Sequence, residues 1–239
     1  MRYLPKAPTP PPVLAQYLQA QTALGYNLDY GNFSRAGEYR QALIAEQHGL
    51  CGYTGVAIDE RLIDRQRRLA TQTLIPPTKL KPHTEHLKPQ CVCRDELRAQ
   101  GKEPGKDLGE DMDRSNMIAA LEVIGAEEEE FGARQRGNTP LPVWPTQPDC
   151  EARFTYTWDG RVLGHDGDAQ STVEILKLNH PTLKRWREAE LDGFLPIDLS
   201  VTGLEIDHLI TQLDQPQADR LPEFSFVLQS ALRSLLPQS

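Results

Sequence analysis

The segment Pro82-His83-Thr84-Glu85-His86-Leu87-Lys88-Pro89 sets two imidazoles and a carboxylate within four positions, between two prolines. About thirty residues on, Asp113-Arg114-Ser115-Asn116-Met117 adds a second polar anchor, Asn116. Together these residue types can do one piece of chemistry. Hydrolysing a phosphodiester takes a base to activate water, a Lewis acid on the phosphate and a charge to offset the leaving oxygen; one hard cation can fill the last two roles. Mg²⁺ prefers oxygen ligands and keeps several waters, so one carboxylate with one or two neutral donors suffices. Glu85 fits that carboxylate, and His86, of a type that titrates near neutrality, can take the proton. Neighbours on a strand point to opposite faces, so Glu85 and His86 serve one site only at a strand end or a bulge. His83 shares Glu85's face in an extended segment, either as a further ligand or as a group that steers Glu85. Asn116 can hydrogen-bond the backbone near His86 and orient the base. The competing reading is a polar turn whose histidines are merely hydrogen-bonded.

These residues need elements to carry them. Residues 1–12, with Pro5, Pro8, Pro10, Pro11 and Pro12, favour polyproline II and read as a flexible tail. Leu14, Tyr17, Leu18 and Leu24 have roughly helical spacing and predict a helix from Val13 to about Leu24. A second helix is expected from Ser34 to about His48, with Tyr39, Ala42, Leu43 and Gln47 on its buried face and Gly49 at its C-cap. Arg61, Arg65, Arg67 and Arg68, beside Leu62, Ile63 and Leu69, predict a short amphipathic helix. Its basic face is either a solvated surface or an arm that contacts phosphate. Arg94 to Asp111 reads as a long polar loop. From Ser115 or Asn116 to about Ile124, the residues Met117, Ile118, Leu121 and Ile124 predict a short helix with Asn116 at its start. Phe154-Thr155-Tyr156-Thr157-Trp158 alternates like a strand, Asp159-Gly160 turns, and Arg161-Val162-Leu163 returns as a hairpin. Two helices broken at Asn179-His180-Pro181 and two more near 203–214 and 222–236 follow. The expected class is α+β, mostly helical. It divides into the tail at 1–12, a region at 13–140 that carries the central motif behind N-terminal helices, and a hairpin plus helical region at 141–239.

Composition narrows the function classes. A chain of 239 residues is long enough for a sizeable core. Hydrophobic residues make up 38% and charged residues 25%, with a mean hydropathy of −0.53. No run approaches the roughly 18 apolar residues of a membrane helix. The first residues lack the apolar stretch of a signal peptide, so a cytoplasmic location is expected. Cys51, Cys91, Cys93 and Cys150 include a C-x-C pair, poor spacing for a disulfide framework or a zinc knuckle, and read as reduced thiols. A metal-free thiol hydrolase using Cys91 or Cys93 with His83 lacks an orienting group at known spacing. A net charge of −8 argues against a general nucleic-acid coat but leaves room for a nuclease, since a metal can stand in for protein cations.

Three ordered segments carry a resemblance: Glu46-Gln47-His48-Gly49-Leu50-Cys51-Gly52-Tyr53-Thr54-Gly55, then His83-Thr84-Glu85-His86-Leu87-Lys88-Pro89-Gln90, then Asp113-Arg114-Ser115-Asn116-Met117. On these the chain resembles HNH endonucleases and, more narrowly, the PtuB subunits of Septu-type and retron-associated anti-phage systems. The likeness continues through Phe131 to Asn138, Gln147 to Glu151 and Leu178 to Pro181. The resemblance implies a ββα-metal (HNH) core, a hairpin and a helix clasping one divalent cation, Mg²⁺ or Mn²⁺. In it Glu85 takes the acidic metal-side position, His86 the general base and Asn116 the central asparagine, with His83 preceding them in an H-x-E-H variant. The paired C-x-x-C knuckles of the family are missing, so no structural zinc is expected. Gln135 or Asn138 would supply the last metal-side oxygen. Arg61, Arg65, Arg68, Lys88, Arg134 and Arg136 are the expected nucleic-acid contacts. The implied activity is cleavage of DNA or RNA, tRNA included, in phage defence, with a PtuA-like ATPase subunit as partner and a retron reverse transcriptase with its msDNA as a further one. The alternative is a degenerate HNH scaffold that serves such an ATPase complex as a non-catalytic binding subunit.

Overall fold

The computed structural model describes residues 1–72, 79–194 and 203–236, with the side chains of all but 67–72. Two strands, β1 (Lys79–His86) and β2 (Met117–Ile124), pair antiparallel with Lys79 opposite Ile124 and His86 opposite Met117. The short helix expected up to Ile124 is therefore β2. Met117 to Leu121 and Val123 are all buried. Burial of successive residues means that both faces of this strand are covered. Asn116 thus precedes a strand, in a single 3-10 turn. The loop expected from Arg94 also differs, because it begins inside a helix, α1 (Gln90–Ala99). Its buried Cys93 and Leu97 lie four residues apart on one helical face.

Ahead of the strands, α2 (Pro12–Leu24) buries Val13, Leu14 and Tyr17, and α3 (Ala36–Glu46) buries Tyr39, Leu43 and Ile44. Helix α4 (Arg61–Gln72) carries the arginine cluster. The flexible tail expected at 1–12 is tied down: Met1 and Leu4 lie in the core, Arg2 N donates to Gly52 O at 3.1 Å and Leu4 N to Pro145 O at 2.7 Å. Tyr3 N also donates to Glu151 Oε1 at 2.7 Å and Lys6 Nζ to Glu46 Oε2 at 3.2 Å, so apolar burial ahead of the prolines and polar contacts together dock that segment.

The far edge of β2 is closed by side chains. Gln47 Nε2 donates to Ala119 O at 2.7 Å and to Leu50 O at 2.9 Å, while Ala119 N donates to Gln47 Oε1 at 2.6 Å. Leu121 N donates to Cys51 Sγ at 3.2 Å. Cys51 thereby acts as a buried acceptor. Replacing Gln47 with leucine strands the Ala119 amide and carbonyl in the core, and should cost about 3 kcal/mol. Urea denaturation checks this as a lowered midpoint at unchanged slope.

Beyond a short helix α5 (Ala133–Arg136), the hairpin forms as expected from β3 (Phe154–Tyr156) and β4 (Val162–Gly164). Gly160 turns it at φ 72°, and a Cβ there would run into the Lys184 carbonyl, so only glycine fits. Helices α6 (Gly167–Ile175), α7 (Pro181–Phe194), α8 (Gly203–Leu213) and α9 (Ser225–Arg233) complete the chain. The hydrophobic core is continuous across the boundary expected at residue 140, joining Leu121 and Phe131 to Phe154, Val173 and Phe226. Main-chain bonds cross it too, with Gly132 N to Leu176 O at 2.8 Å and Phe224 N to Gly55 O at 2.9 Å. The fold is α+β, with two small antiparallel sheets among the described residues. No helix among those residues is long and apolar enough to cross a membrane.

Candidate functional site

Strands β1 and β2 end together at His86 and Met117, and the strand end lets consecutive side chains reach one cleft. That cleft, of about 390 Å³, is lined by His83, Glu85, His86, Glu122, Arg134 and Asn138, and from α1 by Gln90, Cys91 and Arg94. One more ladder bond, Leu87 N to Asn116 O at 2.8 Å, carries the pairing past the strands. The Asn116 side chain then takes over. Its Oδ1 accepts from Lys88 N at 2.6 Å, and its Nδ2 donates to Lys88 O at 3.1 Å and Glu110 O at 3.0 Å. One amide therefore clamps the two backbone segments that flank His86.

His86 is nearly buried, with Nε2 2.9 Å from the Asp111 carbonyl. A ring nitrogen facing a carbonyl must carry the hydrogen, so Nε2–H donates and Nδ1 keeps its lone pair. Gln90 Nε2 approaches that lone pair at 3.3 Å, and the Tyr30 ring packs edge-on at 4.5 Å. Burial pushes the imidazole down to about 4, against the pull of the Asp111 carbonyl. The ring is neutral at pH 7, and both it and the Gln90 amide on its Nδ1 belong to residues that line the cleft. Because Asn116 holds Glu110 and Lys88, it sets the Asp111 carbonyl and His86 relative to each other. Substituting Asn116 with aspartate turns a carboxylate toward two carbonyls, and should lose about 2–3 kcal/mol. In NMR titrations His86 should move back up toward the ordinary imidazole value.

Glu85 faces a buried cation. Arg136 Nη1 donates to Glu85 Oε1 and to His86 O at 2.7 Å, Nη2 to Leu87 O, and Nε to Thr139 O at 2.8 Å. Burial pushes the Glu85 carboxyl up to about 7, while Arg136 pulls the other way. The expectation that Arg136 contacts nucleic acid gives way here, since its side chain is 1% exposed and its donors face the protein. On the same face, His83 stands between two carboxylates, Nε2 3.6 Å from Glu85 Oε2 and Nδ1 3.9 Å from Glu122 Oε2. The register explains it: Lys81 lies opposite Glu122, so residues 81, 83, 85 and 122 share one face. Burial lowers the His83 pKa. Nothing in the sequence puts Glu122 on this face while Met117–Ile124 is expected to be a helix.

A divalent cation is therefore testable against the donors present. Glu85, Glu122 and Asn138 bring oxygens to one cleft. Among the described residues, no three His, Cys, Asp or Glu side chains gather as a ligand set. Two carboxylates and an amide nevertheless fit a hard ion that keeps much of its water shell. Of the two residues expected to supply the last oxygen, Asn138 lines the cleft and Gln135 does not.

The other predicted cations are divided. Arg61 pairs with Asp59 at 2.7 Å and donates to Leu221 O at 2.8 Å. Arg65 pairs with Glu223 at 2.7 Å and sits 4.6 Å over the Trp186 ring. Both tie α4 to the C-terminal region, and neither lines the cleft. The Arg68 side chain lies outside the described residues. Lys88 is held by Glu96 and Glu110, at 2.7 and 2.8 Å, beside the cleft. Arg134 lines the cleft and bonds Glu130 at 3.0 Å. Arg94 was missed, and only the helical spacing from Gln90 could have placed it. Burial pushes the Cys93 thiol up to about 11, which removes it as a thiolate nucleophile. Neither a protein-family model nor a curated protein sequence matches this chain.

Proposed function

We propose that the cleft at the end of the β1–β2 pair hydrolyses phosphodiester bonds of a nucleic acid, with His86 as the general base. The observation that carries this reading is the fixed tautomer of His86, which gives Nε2–H to the Asp111 carbonyl and leaves Nδ1 an acceptor, reached by the Gln90 amide, in a residue that lines the cleft with Glu85. The order of β1 with Glu85-His86, Asn116, β2 and α5 also supports it, as it parallels an HNH core with α1 inserted between the strands.

In this mechanism His86 Nδ1 takes a proton from the attacking water. Asn116 and the Asp111 carbonyl hold the ring against rotation, and Tyr30 packs against its edge. Glu85 and Glu122, with Asn138, would hold the divalent cation. That ion would polarise the phosphate and offset charge on the leaving oxygen. Arg136 pulls the Glu85 carboxyl back toward its charged form, against a burial that still leaves it raised to about 7. The placement in phage defence with a PtuA-like ATPase rests on the resemblance of the motif segments.

One observation favours a second reading, a non-catalytic scaffold. Arg136 already supplies Glu85 with a positive charge, as a vestigial site would. The deciding experiment gives purified protein plasmid DNA and tRNA in Mn²⁺ or Mg²⁺, with and without the ATPase, and follows Mn²⁺ uptake by electron paramagnetic resonance. Cleavage together with Mn²⁺ binding that weakens in Glu85→Gln supports the nuclease. Absence of both supports the scaffold.

A further inference from the structure

The cleft contains a cation that the mechanism has not used. On α1, Gln90, Cys91 and Arg94 line the cleft, while Cys93 and Leu97 turn into the core. Gln90 and Arg94 are one turn apart on the same helical face. The other charges of the cleft are compensated. Glu85 has Arg136, Glu122 has Lys81 at 3.0 Å, and Arg134 has Glu130. Arg94 makes no hydrogen bond or ion pair among the described residues; its charge is felt only at longer range, by the Asp111 carboxyl. A chain of net charge −8 thus keeps, among the described residues, an uncommitted guanidinium within the cleft that holds the proposed base. A planar guanidinium suits the paired oxygens of a phosphate.

We infer that Arg94 binds a phosphate of the nucleic-acid backbone in this cleft and so positions the strand against His86. The identity of the ligand rests on the nuclease reading; the free cation in the cleft does not. Because Arg94 is half-exposed and makes no hydrogen bond or ion pair among the described residues, its replacement removes no polar contact from that part of the fold.

The test is fluorescence anisotropy of a fluorescein-labelled single-stranded oligodeoxynucleotide, and of its RNA counterpart, across a salt series in EDTA. Arg94→Gln should weaken binding about tenfold. It should also lower the slope of log affinity against log salt by about 0.7, the share of one single-strand phosphate. Arg94→Lys should keep most of the slope. Arg98→Gln is the control, since it removes the same charge from an exposed position of α1 that is paired with Asp95 and lies outside the cleft. Equal losses in Arg94→Gln and Arg98→Gln, no loss in Arg94→Gln, or no binding by the wild-type chain would each overturn the inference. Arg94-dependent binding without cleavage in Mn²⁺ would instead sink the nuclease reading and leave the phosphate site standing.

Discussion

His86→Gln is expected to lower nucleic-acid cleavage by about 10²–10⁴-fold, the share of a positioned general base. Glutamine can still donate to the Asp111 carbonyl and fill most of the ring's volume, so folding should survive and the loss should fall on the chemistry. Gel-resolved cleavage rates under saturating substrate, with circular dichroism as the folding control, check it. An unchanged rate would remove His86 from the mechanism. A second measurement, on metal-free protein in EDTA, probes the same side chain without turnover. The folded value of His86, near 4, lies below the ordinary 6.5. Between those values the unfolded chain binds a proton that the folded chain resists. Stability held above pH 6.5 is therefore lost as pH falls through about 4, by about 3 kcal/mol at most. His86→Gln should lack that component, and its denaturation midpoint should change less over the same range.

The residues that meet at the end of β1 were legible because they sit close together in the chain and have types with few uses. His83, Glu85 and His86 occupy one strand end, and Asn116 proved to be the backbone clamp that its amide suggested. The hairpin at 154–164 and the helix break at Asn179-His180-Pro181 announced themselves through alternation and proline. Strand β2 did not, because eight nearly continuous apolar positions have no period with which to tell a strand from a buried helix. Glu122 went with it, since its place on the site's face exists only once Lys81 is known to lie opposite. Helix α1 was hidden by polar residues around a two-position apolar face. Arg136 was the least legible. A charged side chain is expected at the surface, and its burial depends on Glu85 and on two carbonyls about fifty residues away in the chain.

Replacing that arginine should have the largest effect on stability. Arg136→Met leaves Glu85 buried without its partner and takes donors from the carbonyls of His86, Leu87 and Thr139. Removing one member of a buried pair costs about 3–5 kcal/mol. Arg136→Lys should recover little, because a single ammonium cannot serve a carboxylate and three carbonyls spread along a planar fork. The loss also has a sign in pH. The Glu85 carboxyl stands raised to about 7 even with Arg136 present, so without the guanidinium its folded value moves higher still. The folded variant then holds a proton that the unfolded chain releases above about 4.5, and stability falls as pH rises through that higher value. Guanidinium denaturation should accordingly show a larger deficit for Arg136→Met at pH 8 than at pH 5.5. The double variant Glu85→Gln, Arg136→Met should flatten the difference. A deficit independent of pH would mean that Arg136 serves the carbonyls alone, and that Glu85 is already protonated and unable to hold a cation.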